Sequence, residues 1–200
     1  MIKAILLILD PDRTWEKIQQ NPPTITSIFF TYLLPVLLLG TGVEIWGMME
    51  LGYDKGTIVE RRVKLDQDLA IKYGGAQVVL ALLTSVIGAV LFKKVTEGFH
   101  TRHNFKETFA TLAYSLGPIY LLRMLDALPG VNTWVCWGAG AVLGVAVLYR
   151  GIPRVLRPDP SNALGVYLTC SLLFLAITGL AHYIAQLVLQ EKLLANVRLA

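Results

Sequence analysis

The sequence predicts an all-α membrane protein: a polytopic bundle of five transmembrane helices, with a short N-terminal helix at the membrane interface. Five long stretches carry almost no charge, and 54% of the 200 residues are hydrophobic while only 16% are charged. A run of about 20 apolar residues crosses the hydrocarbon core of a bilayer as an α-helix. Helices are the expected spanning form, because backbone groups inside lipid have no water with which to hydrogen-bond.

The predicted spans follow the charge-poor stretches. Their bounds are about 26–49, 75–92, 106–128, 131–149 and 162–190. The third reaches spanning length only if it continues past Arg123 and Asp126. No connector is longer than 50–72, so we expect one membrane domain over 1–200, in which 1–24 is a cytoplasmic or interfacial segment. The pattern of the 50–72 connector fits either an amphipathic segment or a hairpin.

The N-terminal segment begins with an apolar run, Ile2–Leu9, that is similar to the core of a signal peptide. Asp10, Pro11 and Asp12 stand where a cleavage site of small residues would be, so we expect the run to be retained. Asp10 and Pro11 favour the start of a second helix. Trp15 on that helix is the expected anchor in the membrane interface, and the alternative is a solvated capping helix.

The distribution of basic residues predicts the orientation. Ten of the 18 Lys and Arg residues lie on the N-terminal side of the predicted spans and seven on the other side, with Arg123 unassigned. The positive-inside rule then places the N-terminus in the cytoplasm, and five crossings place the C-terminus on the opposite side. A net charge of +4, located beside membrane ends, suits anionic lipid headgroups better than nucleic acid.

Four short motifs occur in an order that resembles the Yip family. They are Asp10-Pro11-x-x-Thr14-Trp15-x-x-Ile18, Ala113-Tyr114-Ser115-Leu116-x-Pro118 in span three, Pro129 in the outer turn, and Tyr149-x-Gly151-Ile152-Pro153 after span four. The family positions carried over are Pro11, Trp15, Ala113, Tyr114, Pro118, Pro129, Tyr149, Gly151 and Pro153. The resemblance covers nearly the whole chain and includes the order and spacing of the spans.

The resemblance implies a five-span membrane protein of a family named for interaction with small Rab-type GTPases. Short bacterial members are most similar, which implies a bacterial inner membrane. It implies a role in trafficking or membrane organisation, no enzymatic activity and no cofactor, with lipids and another membrane protein or a second copy as partners. Eukaryotic members carry a longer N-terminal region with its own motif, which we do not find here, so we do not expect GTPase binding.

Beyond Lys106 and Glu107 at the start of span three, the predicted spans contain four candidate intramembrane polar residues: Glu44, Arg123, Asp126 and His182. A charge at the centre of a membrane helix costs about 3 kcal/mol on insertion scales. All four lie toward the non-cytoplasmic end of their spans, so one hypothesis is a single polar cluster in which Arg123 pairs with Glu44 or Asp126. The alternative is that each side chain reaches the headgroups on its own.

Catalytic and metal-binding patterns are weak. The sequence contains no Gly-rich phosphate loop, no Gly-x-Ser-x-Gly and no His-Glu-x-x-His. Cys136 and Cys170 lie inside predicted spans and fit buried free thiols. His100 and His103 fit a solvated basic loop better than a metal pair, so we expect no metal site.

Two further functions compete with a membrane scaffold. Pro35 and Pro118 predict kinks in spans one and three, and broken helices at mid-membrane are typical of a transporter or channel component. A lipid-modifying enzyme would need a charged pocket.

Gly140 and Gly144 form a small-residue face that predicts close helix packing in span four.

Overall fold

The computed structural model describes residues 2–55, 61–99 and 103–190, and these residues are mainly helical. The helices are α1 (Ile2–Leu9), α2 (Pro11–Gln20), α3 (Ile25–Ile28), α4 (Leu34–Glu50), α5 (Gln67–Gly98), α6 (Phe105–Leu122), α7 (Thr133–Gly151) and α8 (Ala163–Leu189). A π turn, Phe29–Leu33, joins α3 to α4, and a second π turn, Ile152–Leu156, follows α7. A 3₁₀ segment, Arg123–Ala127, follows α6.

Within the described residues, four helical stretches are long and apolar enough to cross a membrane. They are Ile25–Glu50, Gln67–Gly98, Thr133–Leu156 and Ala163–Leu189. They correspond to the first, second, fourth and fifth predicted spans, and the second helix is considerably longer than the predicted 75–92.

The third predicted span, 106–128, does not meet the same criteria. Its helix, α6, has 18 residues and carries Lys106 and Glu107 in its first turn. Every residue from Thr108 to Tyr120 is buried inside the protein. Because neighbouring helices rather than lipid surround α6, its surface does not need the hydropathy that a lipid-facing helix needs. The chain continues past Arg123 and Asp126 as predicted, but as a 3₁₀ segment.

Two π turns lie beside prolines. The π turn Phe29–Leu33 ends two residues before Pro35, and the π turn Ile152–Leu156 contains Pro153. Proline lacks an N–H, and its ring clashes with the carbonyl four residues earlier. A widened π turn accommodates both effects, so the disturbance predicted at Pro35 takes this form.

The described part of the 50–72 connector is a hairpin. Strands β1 (Tyr53–Lys55) and β2 (Arg61–Val63) pair antiparallel, with Tyr53 opposite Val63. Gly52 precedes β1 with a φ of +84°, a conformation that favours glycine. Of the two predicted alternatives the hairpin is therefore correct, and 56–60 lie outside the described residues.

Glycines let two helices approach α6 very closely. A Cβ at Gly40 of α4 would lie 2.3 Å from the carbonyl oxygen of Tyr120. On the other side, a Cβ at Gly140 of α7 would lie 2.7 Å from the Cα of Ile119, and one at Gly144 would lie 2.7 Å from the carbonyl oxygen of Ser115. The small-residue face of span four is thus confirmed as a packing face, and its partner lies within the same chain.

Candidate functional site

A buried ion pair joins the first spanning stretch to the end of α6. Nε of Arg123 lies 3.3 Å from Oε2 of Glu44; the Glu44 side chain is 0% exposed and that of Arg123 is 11% exposed. Arg123 starts the 3₁₀ segment after α6, and Glu44 lies in the third turn of α4. The structure thus brings these two predicted site residues together. The alternative, in which the Glu44 side chain reaches the headgroups on its own, does not hold, because this side chain is buried and paired with Arg123.

Neighbouring side chains of α5 saturate the Glu44 carboxylate. The Tyr73 hydroxyl donates to Oε1 at 2.6 Å, and Nε2 of Gln77 lies 3.0 Å from both carboxylate oxygens. The hydroxyl of Thr41 in turn donates to Oε1 of Gln77 at 3.2 Å. A buried ion pair is tolerated only where further hydrogen bonds satisfy its remaining groups. Tyr73 and Gln77 supply them to the carboxylate, and Thr41 satisfies the amide oxygen of Gln77.

Sequence reasoning missed Tyr73 and Gln77. They are four residues apart on α5, so they lie on one face of the helix. A glutamine inside an otherwise apolar stretch was the available signal, because its amide also needs partners away from water.

The other two predicted polar residues lie close to this pair. Asp126 is 6% exposed. His182 is 4% exposed; its ring centroid lies 4.7 Å from that of Trp134 and 6.1 Å from that of Trp137. Oδ1 of Asp126 and Nε2 of His182 have no hydrogen-bond partner among the described residues.

A small cavity links these polar side chains. Its volume is about 30 Å³, measured as space open to the centre of a water molecule, which is room for about two waters. Its polar lining includes Gln77, Thr84, Arg123, Asp126, Thr178 and His182. A second cleft of about 230 Å³ lies beside the turn between α6 and α7, where its lining includes Asp126, Asn132 and Gln190. Asp126 therefore borders both spaces.

A second cluster contains the N-terminal motif. Trp15 is fully buried, its Nε1–H donates to the Val147 carbonyl at 3.2 Å, and its ring meets that of Tyr114 edge-on with 5.7 Å between centroids. A Cβ at Gly151 would lie 2.5 Å from the indole. The prediction that Trp15 anchors α2 in the membrane interface is therefore wrong. The indole packs inside the protein because Gly151 leaves space for the ring and Val147 accepts its polar edge.

Pro118 explains why the backbone carbonyl of Tyr114 accepts a hydrogen bond from another helix. In a regular helix the carbonyl of residue 114 accepts from the N–H of residue 118, but proline has none. The hydroxyl of Tyr32 donates to this carbonyl instead, at 2.9 Å. A Cβ at Gly117 would lie 2.0 Å from that hydroxyl. The motif in α6 thus forms a socket for a tyrosine from the first span.

The remaining family positions have separate structural roles. Pro11 is the first residue of α2, which Asp10 caps, and Ala113 is fully buried in α6. Pro129 precedes Gly130, whose φ is +86° in the turn to α7. Tyr149 is exposed and pairs with Tyr167, so it does not join the Trp15 cluster.

A third site lies where the N-terminal segment meets the start of α6 and the π turn after α7. Nζ of Lys106 donates to the Pro22 carbonyl at 3.2 Å, and Nη2 of Arg154 lies 2.7 Å from Oδ1 of Asp12. Beside these contacts lies an open pocket of about 400 Å³, whose lining includes His103, Lys106, Arg154 and Arg157. We call it the basic pocket.

Only one of the two loop histidines lies within the described structure, so the expectation about the pair stays a prediction. His100 lies outside the described residues, and Nδ1 of His103 lies 3.1 Å from Oε2 of Glu107. Within 2–55, 61–99 and 103–190, no three His, Cys, Asp or Glu side chains are placed to hold a metal ion. Cys136 and Cys170 are buried free thiols.

Long apolar helices, glycine-mediated packing and an internal ion pair together define an integral membrane protein built as a helix bundle. The chain belongs to the Yip1 domain family, whose model matches residues 5–190. This match confirms the resemblance that the motifs indicated. The family is one of membrane trafficking and is not known for enzymes. No curated protein and no solved structure gives a significant match to the chain.

Proposed function

We propose that this chain is a non-enzymatic protein that organises the membrane around it, through contacts with lipids and with other membrane proteins or further copies of itself. The observation that carries the proposal is the basic pocket. It lies at one end of the helix bundle, where a bilayer places its headgroups.

The proposal includes five crossings, with α6 as the third. At its start, α6 lies beside Pro22 and Arg154, and at its end Arg123 contacts Glu44 in the outer part of the first span. Its 18 residues extend about 27 Å at the rise of an α-helix, close to the thickness of a hydrocarbon core of about 30 Å. The N-terminus then lies in the cytoplasm and the C-terminus opposite, in a bacterial inner membrane.

The charge of the basic pocket suits an anionic headgroup. Lys106, Arg154 and Arg157 contribute three positive charges, while the lining contains one acid, Glu107. Asp12 pairs with Arg154, whereas Nζ of Lys106 donates to the Pro22 carbonyl and Nε of Arg157 donates to the Arg154 carbonyl. Guanidinium and ammonium groups are the usual ligands of lipid phosphates. The pocket thus has positive charge available for a phosphate.

Removing two of these charges is expected to weaken lipid binding. Near a membrane surface each Lys or Arg contributes about 1 kcal/mol toward anionic lipid. Lys106→Gln with Arg157→Gln should therefore bind phosphatidylglycerol about tenfold or more weakly, measured by native mass spectrometry of lipid adducts. The matched control is Lys64→Gln with Lys72→Gln, which removes the same charge at the other end of the first two spans. Equal losses in both variants would contradict a specific pocket.

The second candidate is a small transporter or channel component with a polar site between the kinked spans one and three. The polar cavity beside Arg123 favours it. Against it, Gly40 of α4 contacts the backbone of α6, and the cavity has room for about two waters. Purification in native lipid separates the two candidates: a stoichiometric membrane partner supports the scaffold, and a bound solute supports transport.

A further inference from the structure

We infer that the small cavity is a hydrated binding site for one proton, which Asp126 holds and which reaches it from the outer cleft. This inference goes beyond membrane organisation and does not depend on the basic pocket. It follows from three observations. The Glu44 carboxylate has donors on both oxygens, the charges of the polar cluster balance only if Asp126 is neutralised, and Oδ1 of Asp126 and Nε2 of His182 have no hydrogen-bond partner among the described residues.

Glu44 has no need of a proton. Tyr73, Gln77 and Arg123 make four contacts with its two oxygens, and each contact comes from a donor. An ionised carboxylate is an acceptor only, so this environment fits the charged form. Arg123 then compensates the charge of Glu44.

Among the side chains that the structure describes, none is left to compensate a charge on Asp126. With Glu44 and Arg123 paired, an ionised Asp126 would give the cluster a net charge of −1. The other groups that face the cluster from α5, α6, α7 and α8 are neutral in their ordinary forms: Tyr73, Gln77, Tyr120, Cys136, Trp137 and His182. An isolated charge buried from water is very unfavourable. One bound positive charge restores neutrality.

The unpartnered atoms favour a proton as that charge. Oδ1 of Asp126 and Nε2 of His182 are both potential acceptors, and neither has a donor among the described residues. A proton on Asp126 turns its carboxyl into a donor as well as an acceptor. The cavity between them has room for about two waters, which can carry the hydrogen bond from Asp126 to Nε2 of His182. Trp137 adds an unpartnered Nε1–H that can donate to the same water.

The outer cleft provides the route of access. Asp126 lines both the inner cavity and the cleft of about 230 Å³ beside the α6–α7 turn. Its carboxyl therefore lies between a space that admits solvent and the buried cluster. Water at the cleft can exchange a proton with Asp126 without crossing the glycine contacts between α4 and α6.

Infrared spectroscopy of the purified protein in lipid nanodiscs at neutral pH tests the inference. The wild type should show the C=O stretching band of a protonated carboxylic acid, and the band should shift in D₂O because water reaches the site. Asp126→Asn should abolish it, whereas Glu97→Gln, at an exposed acid, should leave it unchanged. Since an amide resembles the neutral acid, the Tm of Asp126→Asn should stay within about 3 °C of the wild type.

His182→Gln provides a second variant should Asp126→Asn fail to fold. It changes the hydrogen-bond acceptor of the carboxyl and should shift the band without removing it. The inference is overturned if the wild type lacks the band, if the band does not respond to D₂O or to His182→Gln, or if it disappears in Glu44→Gln and persists in Asp126→Asn. A Tm that rises with sodium chloride but not with choline chloride would show instead that a metal cation supplies the charge.

Discussion

Replacing Arg123 with Met is expected to lower the free energy of unfolding by about 3–5 kcal/mol, because Glu44 would remain buried with its charge unpaired. The Glu44 side chain is 0% exposed, so it cannot recover its hydration without opening the helix bundle. Glu44→Gln should also destabilise the protein, since it leaves the guanidinium without its partner. Reversible unfolding in mixed micelles, followed by circular dichroism, measures both changes.

The double variant decides whether the two residues act as a pair. When both residues are replaced, no unpaired charge remains in the interior. The free energy of unfolding of the double variant should therefore fall by less than the sum of the two single losses, with a difference of more than about 1 kcal/mol. Asp68 and Lys72 form an exposed pair four residues apart on α5 and serve as the control. Their removal should cost about 1 kcal/mol or less. Additive losses for Glu44 and Arg123 would contradict the buried ion pair.

Truncating Trp15 is the second large effect. Trp15→Ala should cost about 3–5 kcal/mol, because the indole is fully buried and both its ring contacts and its hydrogen bond to Val147 are lost. Trp46 is 63% exposed within the chain, so Trp46→Ala is a matched control for which we expect about 1 kcal/mol or less. The same micelle unfolding measures both variants. A Trp15 variant as mild as the Trp46 variant would place the indole outside the core.

The first and fifth spans could be predicted closely from the sequence, whereas the second helix, Gln67–Gly98, extends well beyond the predicted 75–92. The span predicted at 162–190 corresponds to the helix Ala163–Leu189, and the span predicted at 131–149 corresponds to the helical stretch Thr133–Leu156. The bilayer is the reason, since it fixes the length of a span and excludes charge from it. High hydropathy is a weaker criterion for α6, because α6 is surrounded by other helices of the protein. Its polar side chains, such as Thr108 and Thr111, donate hydrogen bonds to carbonyls of their own helix.

The polar sites could be predicted only in part. Glu44 and Arg123 are conspicuous because a charge inside a membrane needs a partner, but the neutral side chains of Tyr73 and Gln77 give a weaker signal. Trp15 was misplaced for a physical reason. An indole with an apolar body and one polar N–H suits the membrane interface and a hydrogen-bonded protein interior equally well.

The basic pocket could not be predicted as a site from the sequence, because its lining comes from distant segments. Pro22 follows α2, Lys106 lies in the first turn of α6, and Arg157 follows the π turn after α7. Each segment alone shows only basic residues beside a span. Their convergence depends on α6 and α7 packing antiparallel through Gly140, which only the fold reveals.

The position of α6 across the bilayer is the central claim, and the labelling of two single cysteines tests it most directly. Glu97→Cys and Val131→Cys flank α6 in a background without Cys136 and Cys170. If α6 crosses the membrane, a membrane-impermeant maleimide added to intact spheroplasts will label the cysteine at 131 and will reach that at 97 only after the membrane is opened. Labelling of both positions from the same side would contradict the account.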